Sequence, residues 1–266
     1  MMERVIREAG RMMLRDPGEV HGKTGLANFV TDRDVEIQKY LIRELSFLYS
    51  GCHFYGEEDT GGNDRKLDGI CFYIDPIDGT TNYIFGYCHS CVSVGMTRDG
   101  EIVAGYVYNP FTDQFYEAEK GKGAKLNGKL LTKSEHGLEE GIVAFGCARY
   151  NEGDTDALFD ITKELYLRSL SVRNGGSAAL DLVRVASGAN VGYIELKLQP
   201  YDYAAASIII TEAGGVISQV NGDPITLDGP CSVLAGTQKA AGQIREIALS
   251  RMEQYKMEPV RKGGRT

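Results

Sequence analysis

The chain has 266 residues, of which 42% are hydrophobic and 25% are charged, with 15 tyrosines and 9 phenylalanines. This composition is that of an ordinary globular protein and excludes a chain that is disordered throughout. A net charge of -8 argues against the basic surface that nucleic-acid binding requires, so we expect no nucleic-acid partner and a protein that collects cations.

No apolar run in the sequence has the length needed to cross a membrane, and the first ten residues lack the apolar core of a signal peptide. We therefore expect a cytoplasmic protein with no membrane partner. The six cysteines lie mostly in strand-like apolar segments, as buried thiols commonly do. Cys88 and Cys91 have the spacing of a zinc or redox pair, but no second spaced pair accompanies them, which argues against a zinc site.

Two helices are predicted at the start of the chain. Apolar residues recur at helical spacing over residues 2–15 and again from about Thr31 to Tyr49. Thr31 and Asp34 have the spacing of a capping box at the start of the second helix. That role explains Asp34 without any ligand, so this residue alone does not indicate a functional site.

The middle of the chain changes to short strands separated by turns, which are predicted at residues 53–55, 70–74, 90–97, 102–108 and 114–118. We therefore expect residues 1–140 to form helices packed on an antiparallel sheet. After about residue 140, helices and strands alternate: strands at 142–146, 190–194, 216–219 and 231–235, and helices at 155–167, 177–187 and 201–213. This alternation predicts an α/β half over residues 141–266, and we expect both halves to form one compact unit.

The densest candidate site is the segment 75–82, DPIDGTTN, which directly follows the apolar strand at 70–74. Asp75 and Asp78 place two hard oxygen ligands at one sheet edge, and the carbonyl of Ile77 adds a third, as magnesium prefers. Gly79 and Thr80 can open a helix whose first N–H groups face an anion. The same residues are also ordinary turn formers, so the segment by itself favours a site no more than a loop.

Two further acidic signals are weak individually. Segment 56–59, GEED, places three carboxylates in a row after a predicted strand, which is typical of a solvated acidic loop. Asp202 lies in the first turn of the predicted helix 201–213, where a carboxylate serves the helix dipole without a ligand. Their combination with the segment 75–82 is more informative than any of them separately.

Together, GEED at 56–59, DPIDGTTN at 75–82 and YDYAAASIIITEAGG at 201–215 resemble the inositol monophosphatase family of metal-dependent, lithium-sensitive phosphatases. The resemblance covers about residues 20–240, beginning with Lys23 and the segment VTDRD at 30–34. It implies a layered αβαβα sandwich of the inositol monophosphatase and fructose-1,6-bisphosphatase type. Tyr201 stands where the family commonly has tryptophan, and Asn28 where it often has an acidic residue. We expect these departures to alter the pocket wall and a loop rather than the metal cluster.

The resemblance implies two to three magnesium ions at one site. Glu57, Asp75 and the carbonyl of Ile77 are the implied ligands of the first ion, and Asp75, Asp78 and Asp202 are those of the second, so that Asp75 bridges the two. Glu57 is also implied to contact a third ion through water. Paired divalent ions of this kind activate an attacking water and stabilise the departing alkoxide.

The resemblance also implies which residues handle water and substrate. Asp34 and Thr80, assisted by Glu57, are implied to orient the attacking water, and the N–H groups of Gly79 and Thr80 to face the phosphate. The implied residues of the polyol pocket are Gly176, Ser177, Ala178 and Glu195.

The implied activity is magnesium-dependent hydrolysis of a phosphate monoester of a small polyol or sugar, with inositol 1-phosphate as first choice, by a homodimer. The shared motifs leave fructose 1,6-bisphosphate, a nucleotide 3'-phosphate and NADP open as substrates. An alternative of a different class is a regulatory binding protein that keeps the fold with low turnover. The acidic charge and the complete ligand set argue against that alternative.

Overall fold

The computed structural model describes residues 1–23, 25, 28–58, 68–132, 134–147 and 154–255. In these ranges the helices are α1 (Met2–Met13), α2 (Asp32–Leu48), α3 (Thr80–Ile84), α4 (Thr155–Arg168), α5 (Ala178–Ala186), α6 (Pro200–Glu212) and α7 (Gln238–Gln254). The strands are β1 (Val20–Gly22), β2 (Phe29–Thr31), β3 (His53–Gly56), β4 (Ile70–Asp78), β5 (Cys91–Arg98), β6 (Glu101–Asn109), β7 (Gln114–Glu119), β8 (Ala124–Leu126), β9 (Lys129–Leu130), β10 (Ile142–Phe145), β11 (Ser171–Arg173), β12 (Gly192–Leu198), β13 (Val216–Ser218) and β14 (Cys231–Gly236).

The first large sheet has seven strands in the order β3-β4-β5-β6-β7-β8-β9. Its neighbours are antiparallel except for β3 and β4, which run parallel. Side chains alternate along β4 as the pleat of a strand requires. Phe72 and Ile74 pack with α1 and α2, whereas Tyr73 faces the other way and packs with Ala204 of α6. The sheet is therefore apolar on both faces and is covered on both.

The second sheet has five strands in the order β11-β10-β12-β14-β13. Strand β10 is parallel to β11 and β12, whereas β14 is antiparallel to β12 and β13. Adjacent residues of β12 again pack in different clusters. Tyr193 faces α5 and α6, while Ile194 packs with residues of α4 and α7.

These contacts stack five layers. Helices α1 and α2 cover the outer face of the first sheet, α5 and α6 lie between the sheets, and α4 and α7 cover the outer face of the second. Helix α6 occupies the middle because it is apolar all round, with Ala204, Ala205, Ile208 and Ile209 all buried. The expected αβαβα sandwich is confirmed.

Helix α7 was not predicted from the sequence, although its capping residue and its apolar periodicity are typical of a helix. The side chain of Thr237 caps its start by accepting a hydrogen bond from Ala240 N–H. Ala240, Ile244 and Ile247 then recur on a buried face at helical spacing. Within the described ranges, no helix is both long and apolar enough to span a bilayer.

Glycines bring α6 directly onto the first sheet. A Cβ atom at Gly105 of β6 would overlap the carbonyl oxygen of Ala205, and one at Gly95 of β5 would lie 2.8 Å from the Cβ of Ala204. The backbone of α6 therefore rests on the strands without side chains between them. This close approach fixes the position of the first turn of α6, which carries Asp202.

Replacing Gly105 with alanine tests this packing. We expect Gly105→Ala to lower the free energy of unfolding by about 1–3 kcal/mol, because the added methyl group meets backbone that cannot rotate away. Gly242→Ala in α7 is the matched control, since a Cβ there meets nothing within 4 Å and alanine favours a helix by up to about 1 kcal/mol. Urea unfolding of the two variants measures both effects, and equal stability of the two would contradict the proposed contact.

Candidate active site

The predicted site residues meet at one cavity of about 340 Å³, which residues from both halves of the chain line. Asp34 does not line it but contacts Thr80, which does. The third carboxylate of the GEED segment, Asp59, lies outside the described residues. The predicted residues on the cavity wall are Glu57, Asp75, Ile77, Asp78, Gly79, Thr80, Gly176, Ser177, Ala178, Glu195 and Asp202.

The parallel pairing of β3 and β4 brings the first two acidic segments together. Gly56 pairs with Ile74, and the N–H of Glu57 donates to Ile74 O at 3.0 Å, so Glu57 emerges beside Asp75. The pairing of β4 with β5 shifts register between Asp75 and Asp78. In this irregular stretch Asp75 Oδ1 accepts from Ile77 N–H at 3.1 Å. Two carboxylates three residues apart thus reach the same cavity.

Burial and mutual repulsion govern these acids. Burial first, and then the charges of Glu57, Asp78 and Asp202, raise the pKa of Asp75 well above its ordinary value. Burial, followed by the charges of Asp78 and Glu57, likewise raises the pKa of Asp202, although its Oδ2 accepts from Gln199 N–H at 2.8 Å. Side chains that are distant in sequence therefore repel one another strongly, which places them within electrostatic reach.

Asp78 is held by the start of α5. Its carboxylate accepts from the hydroxyl of Ser177, from Ala178 N–H at 3.2 Å and from Ala179 N–H at 2.8 Å. Burial raises the pKa of Asp78 to about 6, and these three donors limit the rise. The buried thiol of Cys91 lies 3.7 Å from Asp78 Oδ2, and burial beside that carboxylate raises the pKa of Cys91 well above its ordinary value. This cysteine, one of the spaced pair, is therefore a neutral neighbour of Asp78.

Asp34 has two roles in the structure. It completes the predicted capping box, since its Oδ2 accepts from Thr31 N–H at 2.8 Å and from the Thr31 hydroxyl at 2.5 Å. Its other oxygen, Oδ1, lies 3.3 Å from the hydroxyl of Thr80, which also lies 3.1 Å from Ile77 O. Burial raises the pKa of Asp34 to about 6. The capping interaction therefore leaves one oxygen of Asp34 directed at Thr80, which lines the cavity.

Glu57 and Glu58 are joined by a lysine and a buried glutamine. Lys23 Nζ donates to Glu57 Oε1 at 3.0 Å and to Glu58 Oε1 at 2.6 Å. Gln38 of α2, which is fully buried, accepts from Glu58 N–H at 3.0 Å and donates to Glu58 O at 2.6 Å. Sequence reasoning did not identify Gln38. Its polarity on the buried face of a helix is the signal that could have identified it.

Glu195 lies at the end of the cavity that β12 forms. Its Oε2 accepts from the Tyr193 hydroxyl at 2.5 Å, and burial raises the pKa of Glu195 to about 8, with the charges of Asp78 and Asp181 adding to the rise. A Cβ atom at Gly146 would overlap this carboxylate, so glycine makes room for it.

The two departures from the family pattern have different outcomes. Asn28 lines the cavity. Tyr201 packs with Tyr55, their ring centroids 5.8 Å apart, and is not among the described residues on the cavity wall. The substitution at 201 therefore affects the support beneath the site.

The donors at this cavity fit hard divalent cations. Buried carboxylates that repel one another gain stability from a cation between them, and magnesium prefers such oxygen ligands. Within the described residues, no three acidic, histidine or cysteine side chains are already close enough to hold one ion. Protein donors hold three of these carboxylates, since Lys23 engages Glu57, the start of α5 engages Asp78 and Gln199 engages Asp202.

The raised pKa values predict how the metal-free protein responds to pH. Folding raises the pKa of Asp34, of Asp78 and of Glu195 to about 6, 6 and 8, so the folded state binds more protons than the unfolded state between about pH 4 and pH 8. With chelator present, we expect the free energy of unfolding to fall by several kcal/mol, at most about 6, as the pH rises from 5 to 8.

Urea unfolding at constant ionic strength measures this dependence. Asp78→Asn should flatten it, and excess magnesium should reverse it, because metal ligands must be ionised. A metal-free protein that becomes more stable toward pH 8 would contradict the electrostatic account.

Comparison with known proteins agrees with the geometry. The family model described as the inositol monophosphatase family matches residues 2–253. The inositol-1-monophosphatase of Bacillus subtilis is 34% identical over 87% of this chain and 88% of its own length. Inositol monophosphatase 1 of Bos taurus is 35% identical over 84% of this chain and 81% of its own length. The crystal structure of the extragenic suppressor protein suhB from Bartonella henselae superposes with a TM-score of 0.85 at 30% identity, over 93% of this chain and 96% of that one. The chain therefore belongs to the inositol monophosphatase family, whose members are phosphoric monoester hydrolases.

Proposed function

We propose that the protein hydrolyses inositol 1-phosphate to inositol and phosphate with two to three magnesium ions per site. The observation that carries this proposal is the meeting of Glu57, Asp75, Asp78 and Asp202 at one cavity, whose other wall residues include Glu195, Asn82, Asp181 and the glycines at 79, 146 and 176. The carboxylates can bind the cations that neutralise a phosphate group, and the carboxyl group of Glu195 can bind a hydroxyl group of a polyol. We further propose a homodimer that works in the cytoplasm, as the family resemblance implies.

The positions of the ligands indicate which residues would hold each metal ion. Glu57, Asp75 and the carbonyl of Ile77 emerge from the adjacent ends of β3 and β4, which suits a first ion. Asp78, the last residue of β4, and Asp202 of α6 line the same cavity as Asp75, so these three would hold a second ion, and Asp75 would serve both ions. Bound divalent ions supply charge neutralisation for the phosphoryl oxygens and activation of water.

Asp34 and Thr80 are the groups we assign to the proton of the attacking water. The Thr80 hydroxyl contacts both Asp34 Oδ1 and Ile77 O, so its direction is set by two acceptors. A water that donates to Thr80 Oγ1 can pass its proton through that hydroxyl to Asp34 Oδ1. Thr31 holds the other oxygen of Asp34, which keeps Oδ1 directed at Thr80. Glu57 would assist by holding the neighbouring cation.

The opposite side of the cavity suits the substrate. The turn at Gly79, with φ of +88°, presents the first N–H groups of α3 to a phosphate. Gly176, Ser177 and Ala178 form the wall where α5 begins. Glu195 Oε1 remains for a substrate hydroxyl, because Oε2 accepts from Tyr193. A small phosphorylated polyol therefore fits with its phosphate at the acids and its ring toward β12.

Other substrates of the same chemistry remain alternatives: fructose 1,6-bisphosphate, a nucleotide 3'-phosphate and NADP. A regulatory binding role is a candidate of a different class, since one similar structure is named an extragenic suppressor protein. The complete set of acids in the cavity favours catalysis, because binding alone does not need carboxylates held at this cost. Phosphate release separates the candidates.

Removing one acid tests the proposed hydrolysis. We expect the wild-type protein to release phosphate from inositol 1-phosphate only with magnesium, and Asp202→Asn to lower kcat/KM by at least about 100-fold, because a metal ligand supplies several kcal/mol of charge stabilisation. Asp156→Asn is the control, since Asp156 also lies in the first turn of a helix, α4, but is exposed. Equal, magnesium-independent turnover by wild type and Asp202→Asn would support the binding role instead.

Glu195 should determine preference for the polyol. We expect Glu195→Gln to raise KM for inositol 1-phosphate by roughly 10-fold, because the carboxyl group that faces a substrate hydroxyl is replaced. Magnesium affinity, measured as the rise in melting temperature with added ion, should stay within about 2-fold of wild type, since Glu195 is not a proposed ligand. A fall in magnesium affinity with unchanged KM would assign Glu195 to the metals instead. Steady-state kinetics across inositol 1-phosphate, fructose 1,6-bisphosphate and NADP gives the comparison.

A further inference from the structure

One glycine beside the cavity, Gly175, is held at both of its backbone polar groups. The carbonyl of Gly175 accepts from Asn82 Nδ2 at 2.8 Å, and the N–H of Gly175 donates to Asp181 Oδ2 at 3.0 Å. Asn82 belongs to α3 in the first half of the chain, and Asp181 belongs to α5 in the second. We call Asn82, Gly175 and Asp181 the glycine clamp. It joins the DPIDGTTN segment to the turn that precedes α5.

Both hydrogens of the Asn82 amide nitrogen are used by this arrangement. Nδ2 also donates to His89 O at 2.8 Å, just ahead of β5. An amide nitrogen has two hydrogens, and both partners are carbonyl oxygens that can only accept. Asn82 therefore ties α3, the start of β5 and the Gly175 turn together, and a side chain that only accepts cannot replace it.

Asp181 is a buried carboxylate that holds the same residue, Gly175, through its N–H. It is only 2% exposed, and its Oδ1 has no hydrogen-bond partner among the described residues. His89 Nε2 and Arg184 Nη1 face it at 3.7 and 3.8 Å, which is beyond hydrogen-bond distance. The hydrogen bond from Gly175 N–H is thus the direct one that the Asp181 carboxylate makes.

The clamped turn lies directly against the catalytic segment. A Cβ atom at Gly175 would overlap the Asp181 carboxylate, and one at Gly79 would lie 3.0 Å from Gly176 O. Gly79 and Gly176 have φ of +88° and +72°, so both turns use conformations that other residues rarely adopt. Any displacement of the Gly175 turn therefore shifts the wall that follows it, which is Ser177 and Ala178.

We propose that Asn82 and Asp181 are positioning residues for the substrate wall of this active site. By holding both polar groups of Gly175, they fix Ser177 and Ala178 against Asp78 and set the width of the cavity at the start of α5. The kinetic consequence rests on the proposed function, whereas the clamp itself does not. Loss of either side chain weakens substrate binding more than the chemical step.

Kinetics of four variants test the clamp. We expect Asn82→Ala and Asp181→Ala to lower kcat/KM for inositol 1-phosphate by roughly 10- to 100-fold, mostly through KM. Asp181→Asn keeps an acceptor for Gly175 N–H and should recover most of the loss. Because both side chains hold the same residue, Gly175, the double variant Asn82→Ala/Asp181→Ala should lose little more than the worse single variant. Additive losses, or equal losses in Asp181→Asn and Asp181→Ala, would overturn the proposal.

Asn109→Ala is the control for a purely structural amide. Asn109 is buried and accepts from Phe111 N–H at 2.9 Å and from Thr112 N–H at 3.3 Å in the turn after β6, but it does not line the cavity. We expect this variant to lower the melting temperature and leave KM unchanged. A similar rise in KM for Asn109→Ala would show that general destabilisation explains the kinetic losses and would contradict the clamp.

Hydrogen exchange separates failure of the clamp from failure of the proposed function. The amide of Gly175 should exchange slowly in wild type and Asp181→Asn, and at least about 10-fold faster in Asp181→Ala, where its acceptor is gone. If wild type does not hydrolyse polyol phosphates but shows this pattern, the clamp stands and the proposed function fails. If wild type is active and exchange at Gly175 is the same in every variant, the clamp is wrong.

Discussion

The burial of several carboxylates within electrostatic reach of one another is the constraint on which the rest of the structure depends. Burial and repulsion together raise the pKa values of Asp75 and Asp202 far above the ordinary range. Such a cluster lowers the stability of the fold unless cations or hydrogen-bond donors compensate for it. The protein supplies donors from Lys23 and from the starts of helices, and the cavity leaves room for cations. The site is thus suited to bind cations, and bound cations would attract a phosphoryl group.

The layered architecture is what allows acids from distant parts of the chain to meet. The parallel pair β3 and β4 delivers Glu57 beside Asp75, and the irregular end of β4 adds Asp78. Helix α6 reaches the same place only because Gly95 and Gly105 let its backbone rest on the sheet. The five-layer packing therefore determines the geometry of the site. The site depends on the glycines that permit close packing as much as it depends on the acids.

Much of this could be predicted from the sequence because the relevant signals are local. The strand before Asp75, the capping box at Thr31 and the helix that carries Asp202 follow from periodicity and capping, and the family resemblance joined them into one site. The glycine clamp could not be predicted in that way, because Asn82 and Gly175 are 93 positions apart and their hydrogen bond depends on how two halves pack. Gln38 and the parallel direction of β3 likewise depend on partners that no local pattern specifies. The assignment of metal and substrate roles to individual residues remains a proposal.

The local structural explanation of each acid and its functional explanation turn out to be compatible. Asp34 completes a capping box with one oxygen and directs the other at Thr80. Asp202 accepts from the backbone at the start of α6, and Asp78 accepts from the start of α5. A helix start holds a carboxylate in one orientation, because its N–H groups have no partners within the helix. Folding therefore fixes the orientation of the remaining oxygens before any cation binds. The entropy cost of ordering the ligand side chains is then part of folding and not of cation binding. An acid that is fully explained as a cap is for this reason also a suitable metal ligand.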